Sequence, residues 1–280
     1  MSLKQFLILS LLFSFNFACK TEPQTVITDE VVAALVQPQN VATPLDVAAT
    51  YPQLSEADCY TIQKEVFLQA HGLKDLAGYK AALTSAGSQA LLETDHPAAG
   101  FLYKSGWRAD GDTILSAAYT LPFVELELGF YTNTTIEEFI PDVAALKDKI
   151  ATVYPVIELP DIGFPSIDQV KLATFITHNA ASKSFIIGEG TPLMQIEDLN
   201  GLTFALSADD VLLGEAKSSD AMGDQWEALL FLINQRVEMG LKVEPNHVLI
   251  TGSLGRLFPF ETGAYFADFG TLGSLSFYIK

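Results

Sequence analysis

The sequence predicts a β-rich α+β fold, and three observations carry that reading. Short β-like runs fall at residues 117–131, 154–159, 202–206, 248–251 and 263–278. Gly and Pro punctuate the intervals between them, and only three stretches repeat their apolar residues at the helical period. Of the 280 residues, 49% are hydrophobic and 18% charged, which supports a substantial core and excludes a disordered chain. A single domain over residues 51–280 suits a β-rich unit of that size.

The N-terminal residues read as a targeting segment rather than as part of the fold. Lys4 precedes a mostly apolar run over residues 6–18 that is too short to span a bilayer comfortably. The run ends at Ala18-Cys19, and a small residue directly before a cysteine resembles a bacterial lipobox, although Asn16 and Phe17 depart from the usual aliphatic and small positions. The expectation is a signal peptide over residues 1–19, lipidation of Cys19, and a place in the periplasm or at the outer membrane. Membrane contact would then come only through the N-terminal lipid. Residues 20–50, rich in Thr, Val, Ala, Pro and Gln, read as a tether with room for a helical turn at 29–36. With Cys19 lipidated, Cys59 has no partner for an internal disulfide and reads as a small packed residue.

The first helix opens at Ser55, carries Tyr60, Val66 and Phe67 near the helical period, and stops at His71-Gly72. A second is expected over residues 136–150. A third runs over residues 225–239, where Trp226, Leu229, Leu230 and Ile233 mark an apolar face and Gly240 supplies the stop. The net charge of −18, from 34 acidic and 16 basic side chains, repels phosphate backbones and excludes a nucleic-acid partner.

The stretch most informative about chemistry is Phe123-Val124-Glu125-Leu126-Glu127-Leu128-Gly129-Phe130. On a strand, Glu125 and Glu127 share one face, about 6.5 to 7 Å apart at Cα, so their oxygens can converge on one hard divalent cation. Glu158, at the end of a second apolar run, is the candidate third ligand. An edge strand with leucines inward and glutamates outward produces the same pattern.

The motifs around this pair carry a resemblance. Gly78-Tyr79-Lys80-Ala81-Ala82-Leu83-Thr84-Ser85 resembles the Gly-x-Lys-x-Gly-Leu-Thr-Ser element of 2-oxopent-4-enoate hydratases and oxalocrotonate decarboxylases, in the fumarylacetoacetate hydrolase superfamily. His96-Pro97-Ala98-Ala99-Gly100-Phe101-Leu102 is similar to their Pro-x-x-Gly-x-Leu turn, Glu125-Leu126-Glu127 to their metal-binding Glu-x-Glu, Asn179 to the Asn of their Ala-Asp-Asn element, and Ile250-Thr251-Gly252-Ser253-Leu254 to their Leu-Thr-Gly-Ser segment. The order of these motifs is the family's order across residues 51–280. The resemblance implies a mixed β-roll with flanking helices and Mg2+ or Mn2+ held by Glu125, Glu127 and Glu158. It also implies Lys80 and Ser253 as catalytic residues, and Asn179 and Leu102 at the substrate. The implied activity is that of a metal-dependent lyase, a hydratase of a small 2-hydroxy-dienoic or 2-oxo acid, with decarboxylation or carbon–carbon hydrolysis nearby and a homo-oligomer as the assembly.

Some positions depart from the family. Ala98 stands where the turn commonly carries a proton-transferring Asp, Asp95 being the nearest carboxylate in sequence. Ala82 replaces a Gly, His178 an acidic residue, and Asp224-Gln225 the usual His-Pro or Asn-Pro. These changes leave open a second expectation, an exported small-acid-binding lipoprotein that keeps the cation site without turnover. The histidines, His178 included, read as structural, and there is no nucleophile elbow or phosphate loop.

Overall fold

In the computed structural model, which describes residues 23–37 and 44–280, the chain forms seven α-helices and fourteen strands among those residues. The signal segment and Cys19 lie outside the described residues. The helices are α1 (Pro23–Val36), α2 (Val47–Thr50), α3 (Glu56–Ala70), α4 (Ala86–Leu91), α5 (Val143–Lys147), α6 (Leu172–Thr177) and α7 (Gln225–Glu238). The strands are β1 (Leu76–Ala82), β2 (Ala98–Tyr103), β3 (Trp107–Arg108), β4 (Thr113–Ile114), β5 (Phe123–Thr132), β6 (Ile150–Leu159), β7 (Ser184–Ile187), β8 (Thr191–Pro192), β9 (Thr203–Ala208), β10 (Val211–Lys217), β11 (Val248–Ile250), β12 (Leu254–Pro259), β13 (Gly263–Asp268) and β14 (Ser274–Ile279).

The larger sheet runs β2-β1-β11-β5-β6-β7-β3, with β12 also paired to β5 and β8 to β6. It is mixed: β1 lies parallel to β11, while β1–β2, β11–β5, β5–β6 and β6–β7 are antiparallel. The smaller sheet runs β10-β9-β13-β14-β4. Between the sheets and α7 lies the main core, where Leu126, Leu128, Phe130, Leu229, Ile233, Phe258 and Phe277 are inaccessible to solvent. This is the mixed α+β architecture with flanking helices that the sequence predicts. Because β6 covers one side of β5 and β11 with β12 the other, β5 is an interior strand. The edge-strand reading of its glutamates is thereby overturned.

Helix α3 starts where Ser55 and Asp58 form a reciprocal capping box, and α7 starts where the Asp224 side chain accepts from the Trp226 amide. Four expectations need correction. The tether over residues 20–50 is, where described, folded onto the domain, since Val31, Val32 and Val47 bury against Ile62 of α3. A narrow apolar face in a Thr- and Gln-rich stretch was enough to dock it. The helix expected over 136–150 shrinks to α5, because Ile136 pairs with Val243 and Ile150 already belongs to β6. The strand expected from residue 117 begins only at Phe123. Strands β1 and β2 fall where no β-like run is apparent, their Ala- and Gly-rich sequence having low strand propensity.

Candidate metal centre and active site

Alternation along β5 puts Glu125 and Glu127 on one face, and the antiparallel register sets Glu125 directly opposite Glu158 of β6, adding the third carboxylate to that face. One oxygen from each lies within 4.8 Å of the others, the one cluster of potential ligands among the described residues. Glu127 and Glu158 are fully buried, and each leaves its Oε1 without a hydrogen-bond partner. Strand β1 carries Lys80 into the same space, with Nζ donating to Glu158 Oε2 at 2.6 Å. The loop between β11 and β12 closes the remaining side: the Gly252 amide donates to Glu127 Oε2 at 2.8 Å. Gly252 has a φ of +96°, and a Cβ there would overlap the Thr84 side chain, so the loop needs glycine at this point.

The electrostatics follow from burying three carboxylates against one ammonium. Burial first, then the charge of Glu158, pushes Glu125 up to about 7 against the pull of Lys80. Burial and the same neighbours hold Glu127 well above the ordinary carboxylate range. For Lys80, burial works to strip the proton, but the three carboxylates outweigh it and the pKa is raised, so Lys80 stays an ammonium. A divalent cation resolves both features. It would supply the missing positive charge and give the two orphaned oxygens a partner, and oxygen-only donors suit a hard cation such as magnesium or manganese. The donor set therefore fits the cation the sequence implies.

A cleft of about 250 Å³ opens onto this centre. Lys80, Glu125 and Ser253 line it together with apolar Leu92, Phe123 and Phe175. Ser253 Oγ is buried there without a partner. Two expected substrate contacts are not in the cleft. Leu102 is a core residue, 1% exposed, packed among Val156, Phe185 and Val248: alternation keeps it on the face of Lys80 and Gly100, but the register sets it opposite Gly78, one same-face pair further along the strands and under that apolar cover. Asn179 has both amide protons committed, to the Phe101 carbonyl and the Tyr103 hydroxyl, while its oxygen accepts from the Phe101 amide. Its work is structural. Asn179, Ala180 and Ala181 are consecutive left-handed residues with φ of 59°, 50° and 59°, a conformation costing roughly 1 kcal/mol or more per residue, and the bonds to β2 hold that turn where Ala180 and Ala181 line the cleft.

Of the departures from the family, Ala98 is fully buried at the start of β2, and Asp95 is exposed and does not line the cleft, so it does not stand in for the missing Asp. His178 is structural: its Nε2 bonds to the Leu45 carbonyl at 2.9 Å, and burial lowers its pKa. Gln225 has a role that composition alone does not reveal. It accepts from Thr251 Oγ1 at 2.6 Å and donates to the Ser218 carbonyl, which fixes the loop carrying Gly252 and Ser253. Arg256, also missed, lines the cleft from β12.

No protein-family profile matches the chain. A 2-oxo-hept-4-ene-1,7-dioate hydratase of Escherichia coli is 27% identical over 240 residues, covering 82% of this chain and 89% of the relative. A 4-oxalocrotonate decarboxylase of Pseudomonas putida is 25% identical over 213 residues, covering 74% and 79%. Among solved structures, the 4-oxalocrotonate decarboxylase from Pseudomonas putida G7, complexed with magnesium and adipate, superposes with a TM-score of 0.81 at 21% identity, over 92% of this chain and 97% of that one. A putative fumarylacetoacetate hydrolase family protein from Yersinia pestis CO92 superposes with a TM-score of 0.54 at 10% identity, over 72% and 91%. The fold is that of the fumarylacetoacetate hydrolase family. Within it, the similarity to hydratases and decarboxylases bears out the branch that the motifs around Lys80 and Glu125 indicate.

Proposed function

We propose that the protein is a divalent-metal-dependent lyase, a hydratase of a small 2-hydroxy-dienoic or 2-oxo acid, with decarboxylation of the same substrate class as the nearest variant. The observation that carries this is the convergence of Glu125, Glu127 and Glu158 within 4.8 Å, beside an ammonium and at the wall of a cleft. The relatives named as hydratase and decarboxylase support it. The three carboxylates would hold magnesium or manganese, which when bound supplies Lewis-acid polarisation of a 2-oxo acid.

The chain's own residues then have defined tasks. Hydration of a 2-hydroxydienoate places a hydroxyl on C4 and protons on C3 and C5, while the enol oxygen on C2 releases its proton. Lys80 Nζ, held as an ammonium, is the group lining the cleft with a proton to place and a positive charge to set against the enolate. Ser253 Oγ, lacking a protein partner, is free to hydrogen-bond the substrate. Leu92, Phe123 and Phe175 exclude water from the carbon chain. The test is loss of ultraviolet absorbance from 2-hydroxypenta-2,4-dienoate with manganese or magnesium. Loss that stops with chelator is the expected result, and manganese binding without loss of any dienoate signal would leave the binding-only reading.

We also infer export with lipidation at Cys19, on the strength of Lys4, the apolar run over 6–18 and Ala18-Cys19. No helix of the described residues is long and apolar enough to cross a membrane. Cys19→Ser is expected to release the protein from membranes, and continued association refutes the anchor. Homo-oligomer formation belongs to the same reading, supported by half-exposed Phe266 and Tyr278 on the smaller sheet. A monomer in sedimentation equilibrium refutes it.

A further inference from the structure

Two residues beyond Lys80 on β1, alternation brings Ala82 onto the face that carries the ammonium, roughly 6.5 to 7 Å further along at Cα. Ala82 lies opposite Ala98, and both pack into one buried apolar cluster with Leu92, Phe175 and Ala180. Half-buried Leu83 and Ile162 pack against that cluster. Apart from Ala98, all of these line the same cleft as Lys80 and Glu125. The cleft therefore leads from the carboxylate cluster to an apolar end built from β1, α6 and the residue that follows α4.

Among the described residues that line the cleft, only Lys80, Glu125 and Arg256 carry charge, and all three belong to its other end. Lys80 pairs with Glu158 inside the carboxylate cluster. Strand β12 sets Leu254 opposite Leu126 and Phe258 opposite Val124, so Gly255, Arg256 and Leu257 form a bulge against Glu125. The Arg256 guanidinium lies over the Phe258 ring at 5.2 Å and donates to the Leu213 carbonyl, and neither residue belongs to the apolar cluster. Of the hydroxyls lining the cleft, those of Ser85 and Ser88 bond to each other in the cap of α4. At residue 98, where the family commonly has a carboxylate, the apolar cluster holds a methyl group. A second carboxylate carried to this end would lose its water without gaining a partner, whereas each methylene would gain burial.

We propose that this apolar end selects the tail of the substrate, so that the preferred 2-oxo acid is a monoanion whose uncharged hydrocarbon chain extends past the fifth carbon, with Ile162 and Phe175 as specificity-determining walls. This rests on the proposed function in one respect, that the 2-oxo acid head sits at the carboxylate cluster. Such a substrate differs from the dioate for which one similar hydratase is named. Burying a methylene is worth roughly fourfold in affinity, so chain length is the property to vary.

The test is calorimetric binding to the full-length, manganese-loaded protein of three unreactive acids, 2-oxohexanoate, 2-oxooctanoate and 2-oxoadipate. The wild type is expected to bind 2-oxooctanoate roughly 10- to 15-fold more tightly than 2-oxohexanoate. It should bind 2-oxoadipate, which matches 2-oxohexanoate in length but carries a second charge, more weakly by roughly tenfold or more. Ile162→Asn, at a half-buried position, removes most of the gain from the longer chain, and Ile162→Leu keeps it. Equal affinity for the two monoacids in the wild type, or a wild-type preference for 2-oxoadipate, overturns the proposal however the variants fold. A full length dependence in folded Ile162→Asn overturns the wall assigned to Ile162. While binding still needs manganese, these results leave the lyase standing. If no acid binds, or binding is the same in chelator, the head is not at the carboxylate cluster and the proposed function falls with the proposal. Manganese-dependent binding that rises with chain length, without dienoate turnover, upholds the apolar tail and removes the lyase.

Discussion

Glu125→Gln removes one negative charge from the buried cluster while keeping the side chain's shape, and the structure predicts opposite effects with and without the cation. Glu125 is lifted from an ordinary 4.5 to about 7, and at about 1.4 kcal/mol per pH unit its ionisation costs the cation-free fold up to about 3.5 kcal/mol. Its partial exposure trims this to about 2 kcal/mol. Because the folded value lies above the unfolded one, the penalty is absent below about pH 4.5, grows between 4.5 and 7, and is complete above 7. In chelator at pH 8, Glu125→Gln is therefore expected to melt roughly 4 to 8 °C above the wild type, and at pH 4.5 the two should coincide. Saturating manganese inverts the order: the wild type gains about 2.7 kcal/mol at a free cation concentration a hundredfold above Kd, while the variant, short of one ligand, gains less. Thermal melts at both pH values, with chelator and with manganese, check this. A variant less stable than wild type in chelator at pH 8, or a gap that ignores pH, would mean that the cluster is not an uncompensated cation site.

Lys80→Met leaves Glu158 buried without its partner and is expected to cost roughly 3 to 5 kcal/mol in chelator and to cut kcat by roughly 10² to 10⁴ in manganese; an unchanged urea midpoint contradicts the ion pair. Asn179→Ala strands the buried Phe101 amide and releases the left-handed turn, at a cost of roughly 2 to 4 kcal/mol, with KM little changed. A higher KM at full stability would return Asn179 to the substrate. Gly252→Ala forces a side chain into the left-handed region and against Thr84, so weaker manganese binding accompanies a loss of about 2 kcal/mol or more. Calorimetry with wild-type affinity rejects that loop as a support of Glu127. Ala98→Asp is expected to raise kcat tenfold or more, and a folded variant with unchanged turnover shows that residue 98 takes no part.

The metal ligands were legible because strand alternation is a local rule: once 123–130 is a strand, Glu125 and Glu127 must share a face. Their meaning was not legible, since whether β5 is an edge or interior strand depends on β6, β11 and β12, which reach it from distant parts of the chain. The same limit explains Leu102 and Asn179. The motifs locate both near the site, but position along the strand and hydrogen-bond commitments decide their roles, and these are set by pairing with β1 and by the turn after α6. Arg256 was hidden for a related reason. An arginine in Gly-Arg-Leu carries no periodic signal, and only the register of β12 against β5 exposes the bulge that delivers it. The docking of α1 rests on a few valines within a polar segment, a pattern too sparse to tell from a tether.

The same register accounts for the state of Lys80. On β1 and β2, Lys80 faces Gly100 and Ala82 faces Ala98, so residue 98 projects from the face that carries Lys80, diagonally removed by roughly 7 to 8 Å at Cα. A carboxylate there would be within reach of the long ammonium, which gives the family's Asp a physical reason to work with the lysine. With alanine in its place, the lysine makes its buried ion pair to Glu158. That pairing raises the lysine's pKa and makes it a proton donor and electrostatic partner, not a base. It also changes the charge of the cation site. Three ionised carboxylates with one ammonium sum to −2, which one divalent cation neutralises in full, whereas a fourth carboxylate at residue 98 would leave −1 after the cation is bound. Alanine at 98 and the Lys80–Glu158 pair thus belong together: the site has one proton-transfer partner fewer and a charge that a divalent cation neutralises.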